Sequence, residues 1–113
     1  MTLSPDIKKG SAELLILALI DERPRHGYEI SQRIAERSNG SITFSSSTLY
    51  PVLHSLERRG IVRGRWDTQP GERRRRFYSI TPAGRKFLDA QRAGWRQFMK
   101  ALVRVARPKR AAL

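Results

Sequence analysis

The spacing of apolar residues changes at Gly60, and this change constrains the fold more than any other feature of the sequence. Before Gly60, apolar side chains recur at i, i+3, i+4 and i+7, the pattern of one buried stripe on an α-helix. After it, apolar and basic residues alternate over 61–67 and 73–80, with turn residues at 68–71 between them. The chain is therefore predicted to pass from a helix capped by Ser45 into a β-hairpin with a basic tip. The helical stripe consists of Leu49, Val52, Leu53 and Leu56.

Two more helices are predicted upstream of this stripe. The first is capped by Ser11 and carries the run 14–20, which is apolar on all sides. Such a helix is buried on most sides or shared with a partner subunit, and a buried strand is the alternative for so short a run. Pro24 ends this segment. The second helix is predicted over 27–37, with Gly40 beyond its end.

A long last helix is predicted from its cap at Thr81 to about Val105, with Pro82 at the first position. Six residues along it alternate spacings of three and four, which is a heptad seam with one polar member. The seam can pack against the chain's own first helix, but one subunit has too little surface to cover both elements. A homodimer is therefore predicted. The predicted interface consists of Leu14, Leu17, Leu88, Gln91, Trp95, Phe98, Leu102 and Val105.

The order of three helices, a hairpin and a last helix predicts an α+β fold that is mostly α. It is a winged helix-turn-helix plus a C-terminal dimerisation helix. The length of 113 residues suits one domain. The predicted parts are an N-terminal arm over 1–9, where Pro5 discourages helix, a DNA-binding domain over 10–80, the dimerisation helix over 81–106 and a basic tail over 107–113.

The charge predicts the kind of partner. The formal net charge is +13, and it is uneven, because residues 1–57 carry −1 and residues 58–113 carry +14. A field of this sign favours nucleic acid first and an anionic membrane second. A membrane is not expected, since the longest apolar run has seven residues and a span needs roughly 20. No signal peptide is evident and there are no cysteines, so the expected location is the cytoplasm.

Two segments supply predicted contacts to double-stranded DNA. The polar face of the third helix offers hydroxyls and rings that can approach base edges in a major groove, although some can equally touch phosphates and His54 can be an ordinary exposed residue. The four arginines at 73–76 can grip phosphates or enter a narrow minor groove. Their alternative is a solvated loop, which the repulsion among like charges disfavours. The predicted residues in these segments are Ser46, Ser47, Thr48, Tyr50, His54, Arg58, Arg73, Arg74, Arg75 and Arg76.

No enzyme chemistry is expected. His26 and His54 are the only histidines, and neither cysteines nor clustered carboxylates accompany them, so no metal or other cofactor is predicted. Neither histidine has a serine or aspartate partner at a suitable position for nucleophilic catalysis.

Four motifs occur in a characteristic order: HGYEI at 26–30, STLYPVL at 47–53 with LE at 56–57, GIV at 60–62 and RRFYSITPAG at 75–84. Together they resemble the PadR family of transcriptional regulators, over roughly residues 8–105. The resemblance implies a dimeric winged-helix repressor on a palindromic operator, in which the last helix packs on the partner's first helix. The single short last helix looks like the smaller PadR subfamily.

The resemblance also implies roles for two aromatic residues. It suggests that Tyr28 reaches the DNA backbone, with core packing as the alternative. In related multidrug-sensing members a tryptophan on the last helix stacks on flat aromatic drugs, and Trp95 lies at a similar position. A small hydrophobic or aromatic effector at Trp95 is therefore implied, with core or dimer packing as the alternative.

The chain departs from the family in its arginines. The wing at 73–76 is more basic than in many members, and the Arg-rich tail at 107–113 has no clear counterpart. Arginine planes also stack on exposed bases, so a basic RNA-binding accessory protein built on the winged-helix fold is the rival function.

Overall fold

A computed structural model describes residues 5–67 and 74–109 and confirms the predicted element order. The sequence places helix starts by their caps and helix ends by glycine or proline, and most predicted boundaries lie within two residues of those observed. The elements are α1 (Pro5–Glu22), β1 (Arg25–His26), α2 (Gly27–Arg37), α3 (Ser46–Arg58), β2 (Val62–Asp67), β3 (Arg75–Ile80) and α4 (Pro82–Ala106).

The start of α1 differs from the prediction. The helix begins at Pro5 rather than after Ser11, so the segment predicted as an arm is helical from Pro5 onward. Proline is tolerated in a first helical turn, because the N–H that it lacks would have no partner there. The strand alternative for residues 14–20 was wrong, since the whole run is helical. These residues supply Ile16, Leu17 and Ile20, which are fully buried.

The sheet has a third strand that the sequence did not predict. Its order is β1-β3-β2, and both pairings are antiparallel. Strand β1 contains only two residues, Arg25 and His26, which pair with Tyr78 and Phe77. The predicted hairpin is present as β2 and β3, with Trp66 opposite Arg76. The predicted turn at 68–71 and Arg73 lie outside the described residues.

All four helices and the sheet contribute to one hydrophobic core. Helix α3 buries Leu49, Leu53 and Leu56, and the predicted stripe residue Val52 packs against the same cluster. Strand β3 contributes Tyr78, and α4 contributes Leu88. The helices α2 and α3 therefore hold fixed positions beside the hairpin, which is what a winged helix-turn-helix requires.

Helix α4 begins inside the body of the protein and extends beyond it. Thr81 caps it by accepting a hydrogen bond from the Gly84 N–H at 2.9 Å, while the Thr81 hydroxyl donates to the Gly60 carbonyl at 2.7 Å. Leu88 is buried against α1, but the side chains from Phe98 onward are exposed. Among the described residues, no helix is both long enough and apolar enough to cross a membrane.

Candidate nucleic-acid interface

A cleft of about 650 Å³ lies between α2, α3 and the β2–β3 wing. Its walls combine arginines and tyrosine hydroxyls, which can contact phosphates, with aromatic rings, on which bases can stack. It brings together six of the predicted DNA-binding residues, which come from three separate stretches of sequence. The lining residues are His26, Gly27, Tyr28, Gln32, Tyr50, His54, Trp66, Arg74, Arg75, Arg76 and Tyr78.

The N-terminus of α2 forms one wall. His26 caps this helix, since its Nδ1 accepts a hydrogen bond from the Glu29 N–H at 3.2 Å. Tyr28 in the first turn is 65% exposed, and its hydroxyl oxygen accepts a hydrogen bond from Gln32 at 3.2 Å. Its placement at the cleft excludes core packing as its only role and leaves the ring accessible to a ligand.

Helix α3 lies directly against this wall. The ring of Tyr50 occupies the space above Gly27, where an added Cβ would come within 2.6 Å of the tyrosine hydroxyl. His54, one turn further along α3, has its ring centroid 6.4 Å from that of Tyr50. A glycine at position 27 therefore lets α2 and α3 approach closely enough to present Tyr28, Tyr50 and His54 on one surface.

The remaining predicted α3 residues lie outside the cleft. Ser46, Ser47 and Thr48 are exposed in the first turn, and the Ser45 and Ser47 hydroxyls are 2.8 Å apart. Ser45 occupies the N-cap position as predicted, but its side chain caps no backbone N–H. Arg58 is exposed at the opposite end of the helix.

The wing arginines differ from one another in their surroundings. The guanidinium of Arg74 lies over the indole of Trp66, 4.5 Å from its centroid, and Arg75 is exposed. Arg76 is partly buried and forms an ion pair with Glu57 of α3. The three wing arginines that the structure describes therefore have different surroundings.

Burial shifts the pKa values of two cleft side chains in the direction that favours their neutral forms. Burial lowers the pKa of His26 below its ordinary 6.5, and the positive charge of Arg75 lowers it further. The neutral ring suits the cap, because its Nδ1 must be unprotonated to accept the Glu29 N–H. Burial also raises the pKa of the Tyr78 hydroxyl above its ordinary 10.0.

A buried arginine that the sequence did not indicate supports the cleft from behind. Arg25 is 4% exposed, and its Nε donates to the Leu19 carbonyl at 2.9 Å. Its other two nitrogens donate to Glu22 and Glu29, each at 2.7 Å. These contacts join the end of α1 to the start of α2 and so fix the position of Tyr28.

The residues of the predicted dimer interface divide into three groups, which are fully buried, partly buried or exposed within this chain. Leu17 and Leu88 were wrongly assigned to it, because both are fully buried within this chain and have no surface left for a partner. Leu14 and Gln91 are partly buried, and Trp95 is too. The exposed members are Phe98, Leu102 and Val105, at 54%, 44% and 86%.

A shallow groove of about 370 Å³ surrounds Trp95, the predicted effector contact. The indole of Trp95 meets the ring of Phe98 edge to face, with centroids 5.8 Å apart. Ala90, Gln91 and Gly94 complete the lining. Across the described ranges, no three His, Cys, Asp or Glu side chains are grouped so that they could hold a metal ion.

Sequence reasoning missed five cleft residues: His26 as a cap, Gly27, Gln32, Trp66 and Tyr78. The sequence does contain an indication for Trp66, since this residue alternates with Arg65 on the predicted strand that precedes the arginines at 73–76. The role of Gly27 depends on Tyr50, 23 positions away, so no local pattern could reveal it.

Three comparisons place the chain among known proteins. The model of the transcriptional regulator PadR-like family matches residues 16–90. An uncharacterized protein of Lysinibacillus sphaericus is 36% identical over 90 residues, which are 80% of this chain and 83% of that protein. A transcriptional regulator of Mycobacterium tuberculosis is 34% identical over 87 residues, or 77% of this chain and 78% of the relative. The structure of a transcriptional regulator from Clostridium thermocellum has a TM-score of 0.86 at 27% identity, over 94% of this chain and all of that one.

Proposed function

This chain belongs to the PadR-like family of transcriptional regulators, and from that premise we propose that it is a homodimeric repressor that binds a palindromic operator. Members of the family regulate transcription by binding DNA and are not enzymes. The observation that carries the proposal is the cleft, where Tyr28 and Tyr50 face the wing arginines. Its site of action would be the cytoplasm, where bacteria such as its relatives keep their chromosome.

We propose that α3 enters the major groove and that the wing lies on the flanking backbone. Tyr50 and His54 would then face base edges, while Tyr28, Arg74 and Arg75 would contact phosphates. Ser46, Ser47 and Thr48 in the first turn of α3, with Arg58 at its end, would bind the adjacent backbone. In a two-fold dimer the half-sites should lie about one helical turn, roughly 10 bp, apart.

Selection from a random duplex library, followed by footprinting, tests this function. We expect the wild-type protein to select a palindrome and to bind it about 10³-fold or more tightly than random duplex at physiological salt. His54→Ala should reduce that preference, whereas Arg74→Gln with Arg75→Gln should weaken binding to both duplexes. Arg33→Gln, on the exposed side of α2 and paired with Glu36, is the matched control and should change neither. Equal binding to the selected and random duplexes across salt would reject the specific regulator.

The exposed half of α4 supports the homodimer. Phe98, Leu102 and Val105 leave a wide apolar face on a helix that begins in the core, and apolar surface of this kind is usually covered by a partner. We expect sedimentation equilibrium to give a dimer for the wild type and a monomer for Leu102→Asp. Lys100→Gln, an exposed change on the same helix, should leave the dimer intact.

We further propose that a flat aromatic effector binds at Trp95 and releases the DNA. The support is the groove, in which the Trp95 indole and the Phe98 ring form an apolar lining. Trp66→Phe leaves Trp95 as the only tryptophan, so fluorescence quenching in this variant reports on that groove alone. Planar cationic dyes should quench the emission and lower operator affinity in parallel. If Trp95→Ala leaves their effect on DNA binding unchanged, the groove is not the effector site.

A further inference from the structure

One wing arginine is tied to the recognition helix. The Arg76 guanidinium donates to the carboxylate of Glu57, which lies in the last turns of α3. The same guanidinium lies 5.4 Å from the Trp66 ring centroid and 5.8 Å from that of Tyr78. Three elements, α3, β2 and β3, therefore meet on one side chain.

A glycine makes room for this arrangement. Gly64 lies on β2 opposite Tyr78, and a Cβ added there would come within 2.5 Å of the Arg76 guanidinium. The absence of a side chain at position 64 lets Arg76 lie flat across the strand toward Glu57. The backbone of the hairpin thus determines where the Arg76 side chain lies.

Arg74 is held differently. It shares the Trp66 ring with Arg76, at 4.5 Å from the centroid, but no acidic side chain in the described part of the chain pairs with it. Trp66 is 53% exposed at the cleft. Stacking on an indole orients a guanidinium without neutralising its charge, so Arg74 keeps its full attraction for a phosphate.

We propose that Glu57, Arg76 and Trp66 form a positioning network that fixes the wing relative to α3, and that Arg74, not Arg76, is the phosphate contact which this network presents. The inference rests on the proposed function, because it assumes that α3 and the wing engage the same duplex. A duplex is rigid over this length, so a wing held at the correct distance loses less conformational freedom on binding. On this proposal Arg76 holds the wing in place, whereas the sequence predicts it as a DNA contact.

Glu57 gives the proposal a distinctive consequence. Removing an acid beside a DNA-binding cleft should strengthen binding if only charge matters. If Glu57 instead holds Arg76 and the wing in place, Glu57→Gln should weaken binding, by about threefold to tenfold, even though it makes the protein more positive.

The decisive measurement is the dependence of affinity on salt. Each phosphate contact contributes about −0.9 to the slope of log K against log [salt]. On one random 20-bp duplex, Arg74→Gln should reduce the slope by about one contact. Arg76→Gln should lower affinity but leave the slope at the wild-type value. A slope that falls by one contact in Arg76→Gln would overturn the proposal.

Two further variants separate positioning from loss of folding. Trp66→Phe retains an aromatic face and should keep most of the DNA affinity, whereas Trp66→Leu should lose it. The slope of log K against log [salt] should stay at the wild-type value in both variants. Glu57→Gln combined with Arg76→Gln should cost no more than Arg76→Gln alone, because the two residues act as one unit. Tighter binding by Glu57→Gln, or additive losses in the double variant, would contradict the network. Circular dichroism and urea unfolding of each variant identify any that are not folded at the assay temperature.

This test can fail independently of the proposed function. Loss of preference between selected and random duplex in the wild type rejects the specific regulator, whereas the slopes are compared on one duplex of any sequence. Arg33→Gln removes a surface charge of the same type outside the cleft and should match the wild-type slope.

Discussion

Arg25 is buried where α1, β1 and α2 meet, and all three of its nitrogens donate hydrogen bonds. A guanidinium is tolerated there because its charge is matched by Glu22 and Glu29 and its Nε is satisfied by a carbonyl. We expect Arg25→Ala to lower the free energy of unfolding by roughly 2–4 kcal/mol, since the partly buried Glu29 carboxylate and the Leu19 carbonyl each lose a donor and the buried guanidinium stem leaves a gap. Urea denaturation measures the change.

Arg33→Ala is the matched comparison for Arg25. Arg33 and Glu36 form an ion pair across one turn of α2, and both side chains are exposed. Loss of this pair should change the free energy of unfolding by no more than about 0.5 kcal/mol. Equal losses in the two variants would mean that burial of Arg25 adds nothing.

The histidine beside Arg25, His26, should make the free energy of unfolding depend on pH. Its pKa lies below 6.5 in the folded state because of burial and Arg75, so the unfolded chain binds the proton more readily. The free energy of unfolding should therefore be constant above pH 6.5 and decrease as the pH falls through 6.5 toward the lower folded pKa. His26→Asn keeps a capping side chain without titrating and should flatten this decrease between about pH 7.5 and 5.5. Thermal unfolding across that range checks the difference, and an unchanged pH profile in His26→Asn would assign the effect to another group.

The helices and the hairpin were predictable because their signals are local. The stripe Leu49–Leu56, the Thr81 cap and the alternation beyond Gly60 each need only a few neighbouring residues. Strand β1 has no such signal, since two residues show no period, and it exists because β3 offers an open edge to Arg25 and His26. The start of α1 is not evident from the sequence, because a proline disrupts a helix interior but is tolerated in a first turn, where Pro5 lies.

The cleft was only partly predictable for a related reason. Tyr50, His54 and the arginines could be chosen by chemical type from the α3 face and the wing. The pairing of Arg76 with Glu57 spans 19 positions and crosses from a strand to a helix, so chemical type alone suggested a free arginine. The path of its side chain toward Glu57 depends on Gly64, whose significance appears only when the strands are paired.

Where the wing joins α4, Gly84 packs closely against the backbone of Ile61. A Cβ at Gly84 would overlap the carbonyl oxygen of Ile61 and lie 2.8 Å from Ile80 Cγ1. We expect Gly84→Ala to destabilise the fold by about 1–3 kcal/mol, because the backbone at Ile61 and the side chain of Ile80 would both have to move. Gly10→Ala, in α1 with open space around it, should stabilise by about 0.5–1 kcal/mol through helix propensity. Differential scanning calorimetry distinguishes the two, and a stabilised Gly84→Ala would show that the contact can relax.

Two separate surfaces of the described structure carry clusters of the basic residues that give the chain its net charge of +13. One is the cleft, and the other is the outward side of α4, where Arg96, Lys100 and Arg104 recur every four residues and so share a face. These three side chains are exposed, and Asp89 is the only acid on α4. No residue of α4 lines the cleft, so the α4 charges should act on DNA through the long-range field alone.

Neutralising this face therefore has a defined expected result. Arg96→Gln, Lys100→Gln and Arg104→Gln together should slow association with DNA at low ionic strength, because they weaken the attracting field. At about 0.15 M salt, where the Debye length is about 8 Å, the equilibrium affinity should change little. The slope of log K against log [salt] should stay at the wild-type value, since the slope counts contacted phosphates. Arg74→Gln with Arg75→Gln is the comparison, and it should reduce the slope by about two contacts. A reduction of that size in the α4 variant would instead place α4 on the duplex and require a DNA path that extends beyond the cleft.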